Sequence, residues 1–144
     1  MTKELFYKQE IIIDAPVEDV WNALTNPEIT KKYMFGCEAV TDWEPGSRLV
    51  WRGAADGVDY VVGNIINIDP YQMLEFTVFD PNGGLEDKPS NYINTRYELF
   101  AEGEKTILTL IQGDFAQADN GEKRFEDSKN GWKYAMETLK KAIE

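Results

Sequence analysis

Side chains able to do chemistry are few in kind in this sequence. It contains no histidine, so the commonest general base, the Ser-His-Asp and Cys-His arrangements and the commonest metal ligand are all missing. Acid–base work would fall to carboxylates, lysine, arginine or tyrosine. Asp56, Asp59, Glu75 and Asp114 could in principle form an acid–base pair or a hard-cation site. No spacing among them matches a calcium loop, and with 26 acidic residues in the chain chance proximity is expected. They read as solvated surface. Cys37, the lone cysteine, cannot form an internal disulfide or a zinc site, and reads as a small buried hydrophobe rather than a reactive thiol. Asn82-Gly83-Gly84 lacks the lysine-serine signature and strand-to-helix turn of a phosphate loop and reads as a turn. No metal or cofactor is called for.

Binding is better provided for. Trp51, Tyr60, Phe76, Tyr97, Trp132 and Met136 are large and apolar, and Asn64, Thr95 and Gln112 place hydrogen-bonding groups among them, which is the make-up of a ligand pocket. The same aromatics could equally fill a core. Ser128, Gly131, Ala135 and Ala142 form a line of small residues beside a stripe of Phe125, Trp132, Met136, Leu139 and Ile143. Glycine in a helix interior costs roughly 1 kcal/mol relative to alanine, so Gly131 either lets a helix lie close to a sheet or leaves room for a ligand. The mouth of such a pocket would lie among Tyr33-Met34-Phe35-Gly36, the turn at residues 54–57 and the loop at residues 80–90. Met34 and Phe35 are its candidate gate, with Gly36 as a hinge, or else they seat the second short helix under the sheet.

These residues are carried on elements whose hydrophobic period changes twice. Residues 4–13 alternate as a strand, with Leu5, Tyr7, Ile11 and Ile13 on one face. Asp14 and Pro16 then supply a capping side chain and a first-turn proline for a short helix with Val17, Val20, Trp21 and Leu24 on its stripe. A second short helical piece opens at Pro27 and runs to Tyr33. Strands follow at residues 37–42, 47–52, 58–69, 74–78, 92–100 and 105–113. In the longest of them Val58, Tyr60, Val62, Ile66 and Ile68 are expected on the apolar face; in the last two, Ile93, Thr95, Tyr97, Leu99, Leu108, Leu110 and Gln112. Residues 120–144 form one long amphipathic helix. Short connections make successive strands antiparallel neighbours, giving an α+β fold with the long helix covering a curved sheet of about six to seven strands.

At 144 residues the chain is of single-domain size. Its net charge of −11 and pI near 4.5 disfavour nucleic acid and anionic membrane, since neutralising phosphates needs a cationic surface. There is no apolar run near the roughly 18 residues of a membrane span, and residues 1–10 carry charges where a signal peptide is apolar, so a cytoplasmic location is expected.

The element order, with Ile12-Ile13-Asp14-Ala15-Pro16-Val17 and Val20-Trp21-Asn22-Ala23-Leu24-Thr25-Asn26-Pro27 at its start, resembles the START-like, or SRPBCC, superfamily. Within it the chain is most similar to bacterial proteins related to the activator of heat-shock-protein-90 ATPase. Further likeness lies in Trp43-Glu44-Pro45-Gly46-Ser47, in Gly63 through Pro70, in Leu74-Glu75-Phe76-Thr77 and in Gly131-Trp132. The resemblance implies a helix-grip fold, a curved antiparallel sheet around the C-terminal helix with a cavity between them. It implies a hydrophobic or aromatic small molecule as partner, lipid-like, sterol or polyketide-like, bound without being transformed. It leaves two alternatives, a stress-related co-chaperone with a chaperone partner and a cyclase or hydrolase working through tyrosine and carboxylates. No catalytic motif transfers to these positions.

Overall fold

The computed structural model describes residues 4–144. Strand β1 (Tyr7–Ile13) leads into helices α1 (Val17–Thr25) and α2 (Pro27–Tyr33), and five further strands follow, β2 (Cys37–Val40), β3 (Arg48–Gly53), β4 (Asp59–Asp69), β5 (Met73–Val78) and β6 (Ile93–Glu102). Strand β7 (Lys105–Gln112) and helix α3 (Gly121–Ile143) complete the chain. All seven strands form one antiparallel sheet in the order β1-β7-β6-β5-β4-β3-β2. This is the α+β layout expected from the element order and the helix-grip architecture that the family resemblance implies.

The local chemistry accounts for the boundaries. At α2, Asn26 caps by accepting from the Glu28 N–H at 3.0 Å, and Pro27 takes the first helical turn. At α1 the expected cap is absent: Pro16 itself is the cap residue with no side-chain bond, and Asp14 instead donates its backbone N–H to Glu144 at 2.8 Å. Glu144 thereby ties the end of α3 to the corner after β1. Lys140 reinforces the same corner by donating to the Ile12 carbonyl at 2.9 Å.

Helix α3 buries Trp132, Ala135, Met136 and Leu139 against the concave sheet face, where Tyr97, Leu99, Leu108, Leu110, Phe76 and Leu74 meet them. The strands β6 and β7 present the expected inward residues, each buried. Strand β4 departs from simple alternation. Two bulges interrupt it: Tyr60 stands unpaired between the Trp51–Val61 and Arg52–Asp59 pairs, and Ile66 between Ile65–Phe76 and Asn67–Glu75. The result puts Val61, Ile65 and Ile68 toward the core and leaves Val58, Tyr60 and Ile66 more than 40% exposed, at 41%, 44% and 42%. Among the described residues no helix is long and apolar enough to cross a membrane.

Candidate functional site

A cavity of about 660 Å³ opens between the sheet and the N-terminal half of α3. Its size is that of pockets for drug-sized molecules, about 300–1,000 Å³. The sheet contributes Trp51 and Gly53 from β3, Tyr60 and Val61 from β4, and Phe76 and Val78 from β5. Helix α3 contributes Asp127, Ser128, Gly131, Trp132 and Ala135. The turn after α2 adds Met34, Phe35, Gly36 and Cys37, and the turn after β3 adds Ala55 and Asp56.

Gly131 sits where the helix leaves space. A β-carbon built there would meet nothing closer than the Phe35 ring, at 3.8 Å. Ser128, Gly131 and Ala135 therefore border open volume rather than a tight sheet contact, whereas Ala142, the fourth small residue, lies exposed near the helix end. Phe35 lies over this opening on a left-handed backbone with φ of 55°, followed by Gly36 at 80°, and stacks on Tyr134 with ring centroids 5.4 Å apart. Both rings are more than half exposed, Phe35 at 64% and Tyr134 at 58%.

The inner wall carries one polar chain. Trp132 Nε1–H donates to Gln112 Oε1 at 2.9 Å, and Gln112 Nε2 donates to Thr95 Oγ1 at 2.8 Å. Indole can only donate, so it fixes the amide with its oxygen toward Trp132. Gln112 keeps a second amide proton that neither bond uses. Tyr97 packs edge-on against Trp132 with centroids 6.0 Å apart, and its buried hydroxyl has no partner among the described residues. Burial pushes that hydroxyl's pKa well above its ordinary value.

At the mouth, the Tyr60 hydroxyl donates to Asp56 Oδ2, and Asp56 Oδ1 accepts from the Val58 N–H at 3.0 Å. These bonds hold the Asp56 carboxyl below the usual range. The pair folds over Gly53, where a β-carbon would collide with the Asp56 carboxylate and the Tyr60 ring. Burial, with Asp56 nearby, pushes the Cys37 thiol up. Among the described residues no three carboxylate or thiol groups gather as a metal site.

Of the residues singled out from sequence, Trp51, Tyr60, Phe76, Gln112, Gly131, Trp132, Ala135, Met34 and Phe35 line the cavity. Thr95, Tyr97 and Met136 are fully buried behind that wall and support it. Asn64 is a correction: the bulges at Tyr60 and Ile66 bury its neighbour Ile65 in the core, and Asn64 is not part of the cavity wall. The loop at residues 80–90 is a second correction, since none of it reaches the cavity. Asp80, Gly83 and Leu85 border a separate, smaller space of about 280 Å³ beside Lys123 and Arg124. Sequence reasoning missed Gly53 and Val61; Asp56 is exposed, as its surface reading expected, and stands at the cavity mouth in the turn at residues 54–57. Val61 was hidden by the bulge at Tyr60. The Gly53-Ala54-Ala55-Asp56 run carried a signal, a small residue placed to let a following side chain fold back.

A curled sheet gripping a long helix, with an apolar cavity between them, defines a helix-grip protein. The family model described as Activator of Hsp90 ATPase homolog 1-like protein matches residues 14–144, and the chain belongs to that family. The solution structure of ChR145 from Cytophaga hutchinsonii is similar at 34% identity and a TM-score of 0.77, over 98% of this chain and 94% of that one. The solution structure of the Aha1 dimer from Colwellia psychrerythraea shares the fold at 16% identity and a TM-score of 0.75, covering 97% of this chain and 96% of that one. So does an HSP90 activator from Plasmodium falciparum, at 17% identity and 0.73, covering 94% and 93%. No curated protein matches the chain.

Proposed function

We propose that this protein holds a small apolar or aromatic molecule between its sheet and α3 without transforming it. The observation that carries this reading is the open volume at Gly131, where a core-filling helix would place a side chain against the sheet. The aromatic wall supplies burial, worth about 25 cal/mol per Å² removed from water, and the spare Gln112 proton suits a carbonyl or hydroxyl oxygen at the inner end. Hydrolase or cyclase chemistry has weaker support. A carboxyl held low is a poor base, and a thiol pushed up is a poor nucleophile. The test is thermal unfolding with a panel of sterol, flavonoid and long-chain alcohol. A true ligand at a hundredfold its dissociation constant adds about 2.7 kcal/mol of stability. No shift with any compound would sink the reading.

A second reading is a co-chaperone acting through its surface, favoured by the family description and by the fold shared with the Plasmodium HSP90 activator. It predicts stimulation of a bacterial heat-shock-protein-90 ATPase. An unchanged ATPase rate at saturating protein would remove it.

A further inference from the structure

The charged side chains that line the cavity are both acidic. Asp56 and Asp127 are the charged residues on the wall, with no lysine or arginine among the described lining. Asp127 is paired with Lys123 at 2.8 Å, whereas Asp56 has no ion pair among the described residues and is oriented by a tyrosine hydroxyl and a backbone N–H. Gly53 gives the Asp56 carboxylate the space to lie against the wall. The inner wall offers Gln112 as its polar group and no positive charge, so a carboxylate placed there would lose its hydration without a partner. At the mouth the same carboxylate would meet a like charge. An ammonium group would instead find Asp56 and the aromatic rings of Tyr60 and Phe35, both of which line the cavity and are solvent-accessible.

We infer that the cavity takes neutral and ammonium-bearing apolar molecules and rejects carboxylates, with Asp56 setting the preference. This rests on the carrier reading above and adds to it the charge class of the ligand. It separates amine-bearing and alcohol-bearing aromatics from fatty and aromatic acids, which apolar burial alone would not.

Calorimetric titration with naphthylmethylamine, naphthylmethanol and naphthylacetate, at one ionic strength, tests it in three proteins. In the wild type the acid should bind at least about tenfold more weakly than the amine. Asp56→Asn keeps the shape and one acceptor oxygen, for the Val58 N–H, while its amide NH2 can donate to the Tyr60 hydroxyl oxygen. It should narrow that gap at least about fivefold, leaving the alcohol within about twofold. Glu102→Gln removes the same charge at the far end of the β6–β7 hairpin and should leave the gap unchanged. The inference is overturned if acid and amine bind alike, or if Asp56→Asn moves the gap no more than Glu102→Gln does. Binding of the alcohol without charge preference overturns this inference alone. Failure of all three compounds to bind overturns the carrier reading with it.

Discussion

Gln112 links two elements through one amide, and its replacement isolates what that link contributes. Gln112→Met keeps the length of the side chain and leaves the Trp132 Nε1–H without its acceptor, a loss of about 1–3 kcal/mol in urea unfolding. The indole emission should shift at the same time, since its hydrogen bond is gone. Gly131 carries the opposite expectation. Gly131→Ala should stabilise by about 0.5–1 kcal/mol, because helix propensity improves and no atom stands within 3.8 Å of the new methyl. A destabilised variant would mean the helix packs closely there. At this scale the sequence was legible where a residue type is out of place: a glycine in mid-helix, open between close packing and a cavity, and a glutamine on the apolar parity of a strand both fall on the cavity wall. Asp56 was harder to read, because in an acidic chain the small Gly53 three residues before it is a slight signal until Gly53 and Tyr60 are seen to hold the carboxylate.

The loop between β5 and β6 shows how an element can be fixed by one buried side chain. Asn91 is wholly buried, its amide donating to the Glu86 carbonyl at 2.8 Å and to Asp119 at 3.1 Å. It accepts from the Asp119 N–H at 2.9 Å, and its own carbonyl accepts from Arg124 at 2.9 Å. Asn91→Ala removes three of these bonds and should cost about 2–4 kcal/mol, with new protease cleavage between Asp80 and Ser90. The Asn91 bond, and after it Lys88, hold the Asp119 carboxyl below the usual range. A lowered folded value means its stabilisation is complete above the ordinary carboxylate range and is lost as pH falls through the lowered value. Stability of the wild type should therefore drop below about pH 4 more steeply than that of Asp119→Asn. Strand β4 makes the complementary point. A β-carbon at Gly63 would overlap the Thr77 carbonyl, so Gly63→Ala should destabilise by at least about 3 kcal/mol or slip the β4–β5 register, seen as lost amide protection in β5. Strand existence was readable from period two, and β6 and β7 kept that period throughout. The two β4 bulges were not readable, because a bulge shifts parity without changing composition, and that shift moved Asn64 away from the cavity and brought Val61 into it.

At the scale of the molecule, the C-terminal end of α3 is closed and its N-terminal half is open. Glu144, Lys140 and Leu139 seal one end against β1, while Gly131, Ser128 and Asp127 border the cavity at the other. The sequence contained the stripe of large residues and the line of small ones beside it but not which end would stay open, and the element order was enough to place the helix in the sheet. It did not contain the depth of the cavity, which depends on how strongly the bulged sheet curls. A direct measurement is fluorescence titration with Nile red, a neutral dye, on the wild type and on Gly131→Phe. A helical phenylalanine leans toward the preceding turn, here Asp127 and Ser128, and so would cover the opening without entering the core. The expected result is saturable one-site binding to the wild type, at least about tenfold weaker in a variant that unfolds at the same temperature or higher. Equal binding by both proteins, or no saturable binding to the wild type, would contradict a ligand cavity between the sheet and α3.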